Sequence, residues 1–245
     1  GMFISWLLAP LMGGCYLVHL GNRSPLRVWR MFLKPQTSWI SRGLIFITLF
    51  MVLVLVQLAL SYWFPGTVWE AVFKVLAGIM AFAQSIYTGF ALSYVNGIRF
   101  WNSALVPILF VTCGLAGGFA ILLAISLGGN LATIELIENV IRILLLIYAV
   151  MVAVYLWNST YIDPVVRGSV MSLIRGESAP IFWVGVVAFG MVIPIAISIA
   201  TYFMARSFAT LLITAVGCEI IGGFALRYCV LKAGRYAPLI PTSAY

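Results

Sequence analysis

Acidic side chains are scarce in this chain: Asp and Glu together number 6 among 245 residues, against 14 Lys and Arg, and charged residues make up only 8%. A soluble globule carries charge on roughly a quarter of its residues, so this composition excludes that class. Histidine is rarer still, with His19 alone, and a haem held by two histidines cannot be built from this chain by itself. The four cysteines, Cys15, Cys113, Cys218 and Cys229, stand singly in apolar segments. Without a C-x-x-C or ferredoxin-like spacing they read as small buried hydrophobes, and no haem or iron–sulfur cluster is expected in this chain. Strand-like alternation, internal repeats and low-complexity tracts are missing as well, which excludes a transmembrane β-barrel and a solenoid.

Apolar residues fill the space these absences leave. They make up 64% of the chain, mean hydropathy is +1.13, and apolar runs of about 20 residues, the length a helix needs to cross the hydrocarbon, recur between short polar gaps. The pattern predicts an all-α, polytopic transmembrane helix bundle, a single membrane domain over residues 1–245 with about seven spans. These are placed near residues 2–20, 43–64, 71–94, 104–127, 134–157, 180–204 and 208–231. The first run has neither a charged n-region nor a small-residue cleavage site, so it reads as a span and not a signal peptide. Pro194 predicts a kink in the sixth span. Gly114 to Gly118 predict a kink or a close-packing patch in the fourth.

The net charge of +8 belongs to loops beside spans, so it determines topology and does not point to nucleic acid. One side of the membrane receives Arg23, Arg27, Arg30, Lys34, Arg42, Arg99, Arg167, Arg175, Lys232 and Arg235; the other receives only Lys74 and Arg206. The richer side is expected to be cytoplasmic, and the C-terminus with it.

Three segments carry a resemblance. They are KPQTSWISRG (Lys34 to Gly43), AQSIYTGFALSYVNGIRFWNSALVP (Ala83 to Pro107) and GGFALRYCVLKAGRY (Gly222 to Tyr236). In this order they resemble the NrfD/polysulfide reductase membrane-subunit family, and the resemblance runs through nearly the whole chain. It implies an integral subunit of the prokaryotic inner membrane that exchanges electrons between a quinone, menaquinone or ubiquinone, and an iron–sulfur, ferredoxin-like partner subunit. A molybdopterin or cytochrome subunit often lies beyond that partner, and the chain would not be active alone. Family members generally have eight spans, so a chain opening on Gly1 inside a span is expected to lack the first.

Candidate site residues follow from the residues and from the resemblance. The family's Y-x-G-x-x-L-S pattern reads here as Tyr87, Gly89, Leu92 and Ser93, and it implies that Tyr87 lines the quinone site. From the residues alone, a phenol at that depth either meets a carbonyl of a bound molecule or bonds to a neighbouring helix. His19 either passes a proton or caps the helix beside Gly21. Ser38, Trp39 and Arg42 either close over the quinone head or belong to the cap of the next helix. Asn102 either positions the same region or serves its own turn. A second set, Glu135, Glu138, Arg142, Glu219 and Arg227, lies within spans, where a charge must pair, face water or lose its proton. It reads either as a proton relay or as structural ion pairs. The competing function is a secondary transporter or proton channel, which would show matched broken helices in an inverted repeat; none is found.

Overall fold

In the computed structural model, residues 6, 7, 11, 14, 29, 30, 32–204 and 209–236 are described, and they fall into two compact units, 1–91 and 92–245. The expected first span, with His19, lies outside them but for Trp6, Leu7, Leu11 and Gly14. Six helices among the described residues are long and apolar enough to cross a membrane, and the protein is an all-α polytopic bundle.

In the first unit, α1 (Trp39–Trp63) and the greater part of α2 (Val68–Ser93) are joined by a tight turn. Gly66 takes φ of +77° there, a left-handed conformation that a side chain would disfavour. Polar groups hold the turn together. Glu70 accepts from the Gly66 amide at 2.8 Å and from the Ser61 hydroxyl at 2.7 Å, and Ser61 accepts from Gln57 at 2.8 Å. The Thr67 hydroxyl takes the Glu70 amide at 3.4 Å, so Thr67 caps the start of α2 while the Glu70 carboxylate reaches back past it to the Gly66 amide.

The second unit contains α3 (Leu105–Ser126), α4 (Leu131–Ser159), the short α5 (Pro164–Ile174), a π-helical segment (Ile181–Val192) that continues as α6 (Ile193–Met204), and α7 (Ala209–Ala233). The π-helical segment packs along α7, α7 along α3, and α3 along α4. Helix association in lipid depends on backbones approaching closely at small residues, and Gly222 of α7 provides this. A Cβ built there would lie 2.1 Å from the Cα of Gly190, and one at Gly185 would lie 2.6 Å from the Cβ of Ala225. Gly185 and Gly190 are five residues apart. That places them on one face of a helix with i→i+5 bonds, whereas in an α-helix they would diverge by about 140°.

Two of the expected irregularities take a definite form. The irregularity near Pro194 is a change of helix type: the Ile193 amide bonds to the Ala188 carbonyl, five residues back, one residue before the proline that has no amide to offer. In the Gly114–Gly118 stretch α3 stays α-helical; among the described residues a Cβ at Gly117 or Gly118 would meet nothing within 4 Å, and one at Gly114 would lie 3.8 Å from the Arg227 guanidinium.

The loop between α2 and α3 is tied to the rest of the second unit at three points. Tyr155 donates to the Phe100 carbonyl at 2.7 Å, Trp101 donates from its indole to the Val230 carbonyl at 2.7 Å, and Arg99 meets Asp163 at 2.9 Å. Asp163 is also the N-cap of α5, accepting from the Val166 amide at 2.8 Å. Burial pushes its carboxyl up, but the Val166 amide, the Arg99 guanidinium and the Val165 amide outweigh burial and hold its pKa below the ordinary value.

Gly222→Ala is expected to destabilise the protein by about 1–3 kcal/mol through overpacking, while Gly117→Ala should be neutral or stabilising by up to about 1 kcal/mol. Denaturation in mixed micelles reads both, and equal effects would refute the contact. Asp163 stabilises the fold above its unfolded pKa of about 3.9, and that stabilisation is lost as pH falls through the lower folded value. Asp163→Ala should cost about 0.5–2 kcal/mol at neutral pH and flatten the acid-side loss. An acid profile of thermal stability unchanged from wild type would contradict this.

Candidate functional site

At the start of α1, the Ser38 hydroxyl accepts the Ser41 amide at 3.4 Å, so Ser38 is the N-cap. Arg42, one turn in, reaches back to close the preceding turn, donating to the carbonyls of Pro35 at 2.6 Å and Gln36 at 2.7 Å. Its guanidinium lies 4.4 Å over the Trp39 ring, a cation–π contact. Trp39 in turn stacks on Phe90 of α2, with ring centroids 4.8 Å apart and planes inclined by 11°. Phe90 is 37% exposed, so the stack ends on an accessible ring.

Tyr87 lies one turn before Phe90 on the same face of α2, as Gly43 lies one turn after Trp39 on α1. The Tyr87 ring occupies the space a side chain at Gly43 would need, because a Cβ there would come within 2.4 Å of it. Tyr87 is only 2% exposed. Glycine at position 43 is therefore what lets a phenol lie flat against the backbone of α1. Four of the six residues suggested by the sequence, Ser38, Trp39, Arg42 and Tyr87, meet in the first unit. Asn102 lies in the second, exposed, donating to Asn96 within its own turn at 2.7 Å. His19 lies outside the described residues. Phe90 and Gly43 complete the cluster and were not anticipated; their spacings of three from Tyr87 and four from Trp39 were the available signal.

The charged set divides as well. Glu138 of α4 and Glu219 of α7, 8% and 7% exposed, line one cavity of the second unit together with Ser198 and Thr201 of α6. Its volume is about 20 Å³, room for one water. Arg142 donates to the Ser198 hydroxyl at 3.0 Å and to the Ser198 carbonyl at 3.1 Å, and also to Asn139. Its guanidinium lies 4.9 Å from the Tyr202 ring centre. Glu135 sits on the exposed face of α4, apart from the cavity. Arg227 lies two turns beyond Glu219, bonded to the Gly223 carbonyl at 3.1 Å and 5.8 Å over Phe110. Ser198 and Thr201 were not anticipated either, because hydroxyls in an apolar run ordinarily bond within their own helix. Among the described residues, no three His, Cys, Asp or Glu side chains gather as a metal site would require.

Comparison with known proteins agrees with the architecture. A family model described as "Polysulphide reductase, NrfD" matches residues 1–238. The chain is 27% identical to Protein NrfD of Escherichia coli (strain K12) over 243 residues, 86% of this chain and 74% of that protein. It is 23% identical to the C subunit of polysulfide reductase from Wolinella succinogenes over 173 residues, 66% of this chain and 53% of that protein. No solved structure matches it. With the family model running through nearly its whole length and six helices among the described residues long and apolar enough to span a membrane, the chain is a polytopic membrane protein of the NrfD polysulphide reductase family.

Proposed function

We propose that the chain is the quinone-reactive subunit of a multi-subunit respiratory oxidoreductase. It sits in a prokaryotic inner membrane, its C-terminus on the cytoplasmic side, and exchanges electrons with a peripheral iron–sulfur subunit. A molybdopterin or cytochrome subunit completes the route to the terminal substrate. The observation that carries this reading is the cluster at the start of α1. There an accessible aromatic stack, Trp39 on Phe90, adjoins a buried phenol, Tyr87.

The donor set fits a quinone head. Such a head is a flat ring with two carbonyl acceptors, and the cluster offers π-surface for the ring and a phenol that can donate to a carbonyl. Bound there, menaquinone or ubiquinone would supply a two-electron, two-proton couple. The chain's own contribution is placement. Arg42, held by two backbone carbonyls, fixes the orientation of Trp39, and Trp39 fixes Phe90. Tyr87, pressed on Gly43 and shielded from bulk water, keeps its hydroxyl from exchanging a hydrogen bond with solvent.

A second reading, a secondary transporter or proton channel, takes its support from the carboxylates around the cavity of the second unit. Both readings are compatible with proton movement; they differ in whether electrons are needed. Copurification with an iron–sulfur protein supports the first, and transport by the isolated chain supports the second.

In the assembled complex, Tyr87→Phe should lower quinol-dependent turnover about tenfold or more, the worth of one hydrogen bond of about 1.4 kcal/mol. Trp39→Leu should act mainly on KM. Electron delivery to the partner from an artificial dye should be unaffected by either. Wild-type quinol oxidation in both variants would remove the site from this cluster.

A further inference from the structure

The cavity of the second unit sets its two carboxylates in different circumstances. Glu138 has Arg142 one turn ahead on its own helix, where its guanidinium bonds to Ser198 and Asn139. Arg142 is held by Ser198, a residue of the cavity lining. Glu219 enters from α7 on the other side. It is more than nine-tenths buried, and its Oε1 has no hydrogen-bond donor. Both helices are membrane spans. An ionised carboxylate in such surroundings, with no donor on one oxygen, is strongly disfavoured, whereas a carboxylic acid is not.

Other ionisable groups stand on the elements packed around Glu219: α7 also carries Cys218, Tyr228, Cys229 and Lys232, and α4 carries Glu135 and Tyr155. Cys113 of α3 and Tyr148 of α4 lie with Arg227 further along the same seam. Arg227 is bonded to Gly223. The π-helical segment carries no ionisable residue. On α6 there is only Tyr202, beside Arg142. The cavity has room for one water between the walls.

We propose that Glu219 holds a proton and passes it through one cavity water to Glu138, with Arg142 balancing whichever carboxylate is ionised. In the step the Glu219 O–H bond breaks and a Glu138 O–H bond forms. The proton enters the water from one side as another leaves from the opposite side, so the water is unchanged. The cavity's net charge is the same before and after, and no oxidant or reductant is involved. Ser198 is the positioning residue: it lines the cavity and, by accepting from Arg142, holds the cation against α6. Glu135 and Arg227 are left outside the step. This inference deepens the reading of the chain as a proton-moving membrane subunit, and it is independent of where a quinone binds.

The test uses the complete complex. Infrared difference spectra, wild type against Glu219→Gln, should show the loss of one protonated-carboxyl band at neutral pH. Thermal stability should be retained, because a neutral amide replaces a neutral acid. Arg142→Gln should add a second such band, since Glu138 then loses its balancing cation. In liposomes, Glu219→Gln should abolish turnover-linked proton movement read by a trapped pH dye. A Glu219→Gln spectrum identical to wild type, or band loss with proton movement unchanged, would overturn the proposal. Failure of the quinone assignment would show instead as wild-type quinol oxidation by Tyr87→Phe, which leaves the carboxyl band untouched.

Discussion

A polar group placed in the apolar phase is costly unless it finds a partner within the chain or a trapped water, because no bulk water is there to supply one. That single requirement arranges most of what is distinctive in this protein. Ser38, Thr67 and Asn130 take up amides at the starts of α1, α2 and α4. Glu70 collects an amide and a hydroxyl at the turn between α1 and α2. Arg42 and Arg142 solve the same problem in two ways: the first on the carbonyls of the turn before its helix, the second on a carbonyl and a hydroxyl of a different helix.

The same requirement explains what was legible in the sequence. The helical class followed from composition, since only closed hydrogen bonding within each segment tolerates so little polarity. Helix starts were less legible. The apolar runs begin at Gly43, Ala71 and Ile134, but the helices begin at Trp39, Val68 and Leu131, because a capped first turn is polar and lies at the headgroups. In the candidate site, Tyr87, Trp39 and Arg42 could be singled out as chemistry-bearing residues. Their assembly depended on Gly43, whose role is to be absent. The destination of Arg142 could not be read either. Glu138 at i, i+4 was the visible partner, whereas Ser198 is 56 positions away.

Helix packing was the least legible part. Small residues mark close approach in membranes, but which of them approach depends on helix type. Gly114, Gly117 and Gly118 stand at the α-helical period, but among the described residues a side chain at Gly117 or Gly118 would meet nothing within 4 Å. Gly185 and Gly190 share a face only because the segment is widened to i→i+5 bonding, and α7 meets that face at Gly222. The widened segment ends beside Pro194, where an amide is missing and an α-helical bond could not be closed. Gly185 and Gly190 line up only in the widened segment, so their spacing becomes readable as a packing face only once the helix type is known.

Tyr87 shows how packing and chemistry are joined. Its ring lies on the backbone at Gly43 and is almost wholly buried, so its side-chain torsions are fixed by contact on a face where only glycine leaves room. A hydroxyl whose position is set during folding loses little further freedom when an acceptor arrives, and more of the hydrogen bond's free energy remains for binding. The Trp39–Phe90 stack supplies the complementary property, an aromatic surface that stays accessible while its orientation is held by Arg42. Were Tyr87 merely a helix-packing residue, a phenylalanine would fill the same space at no cost to the contact with Gly43.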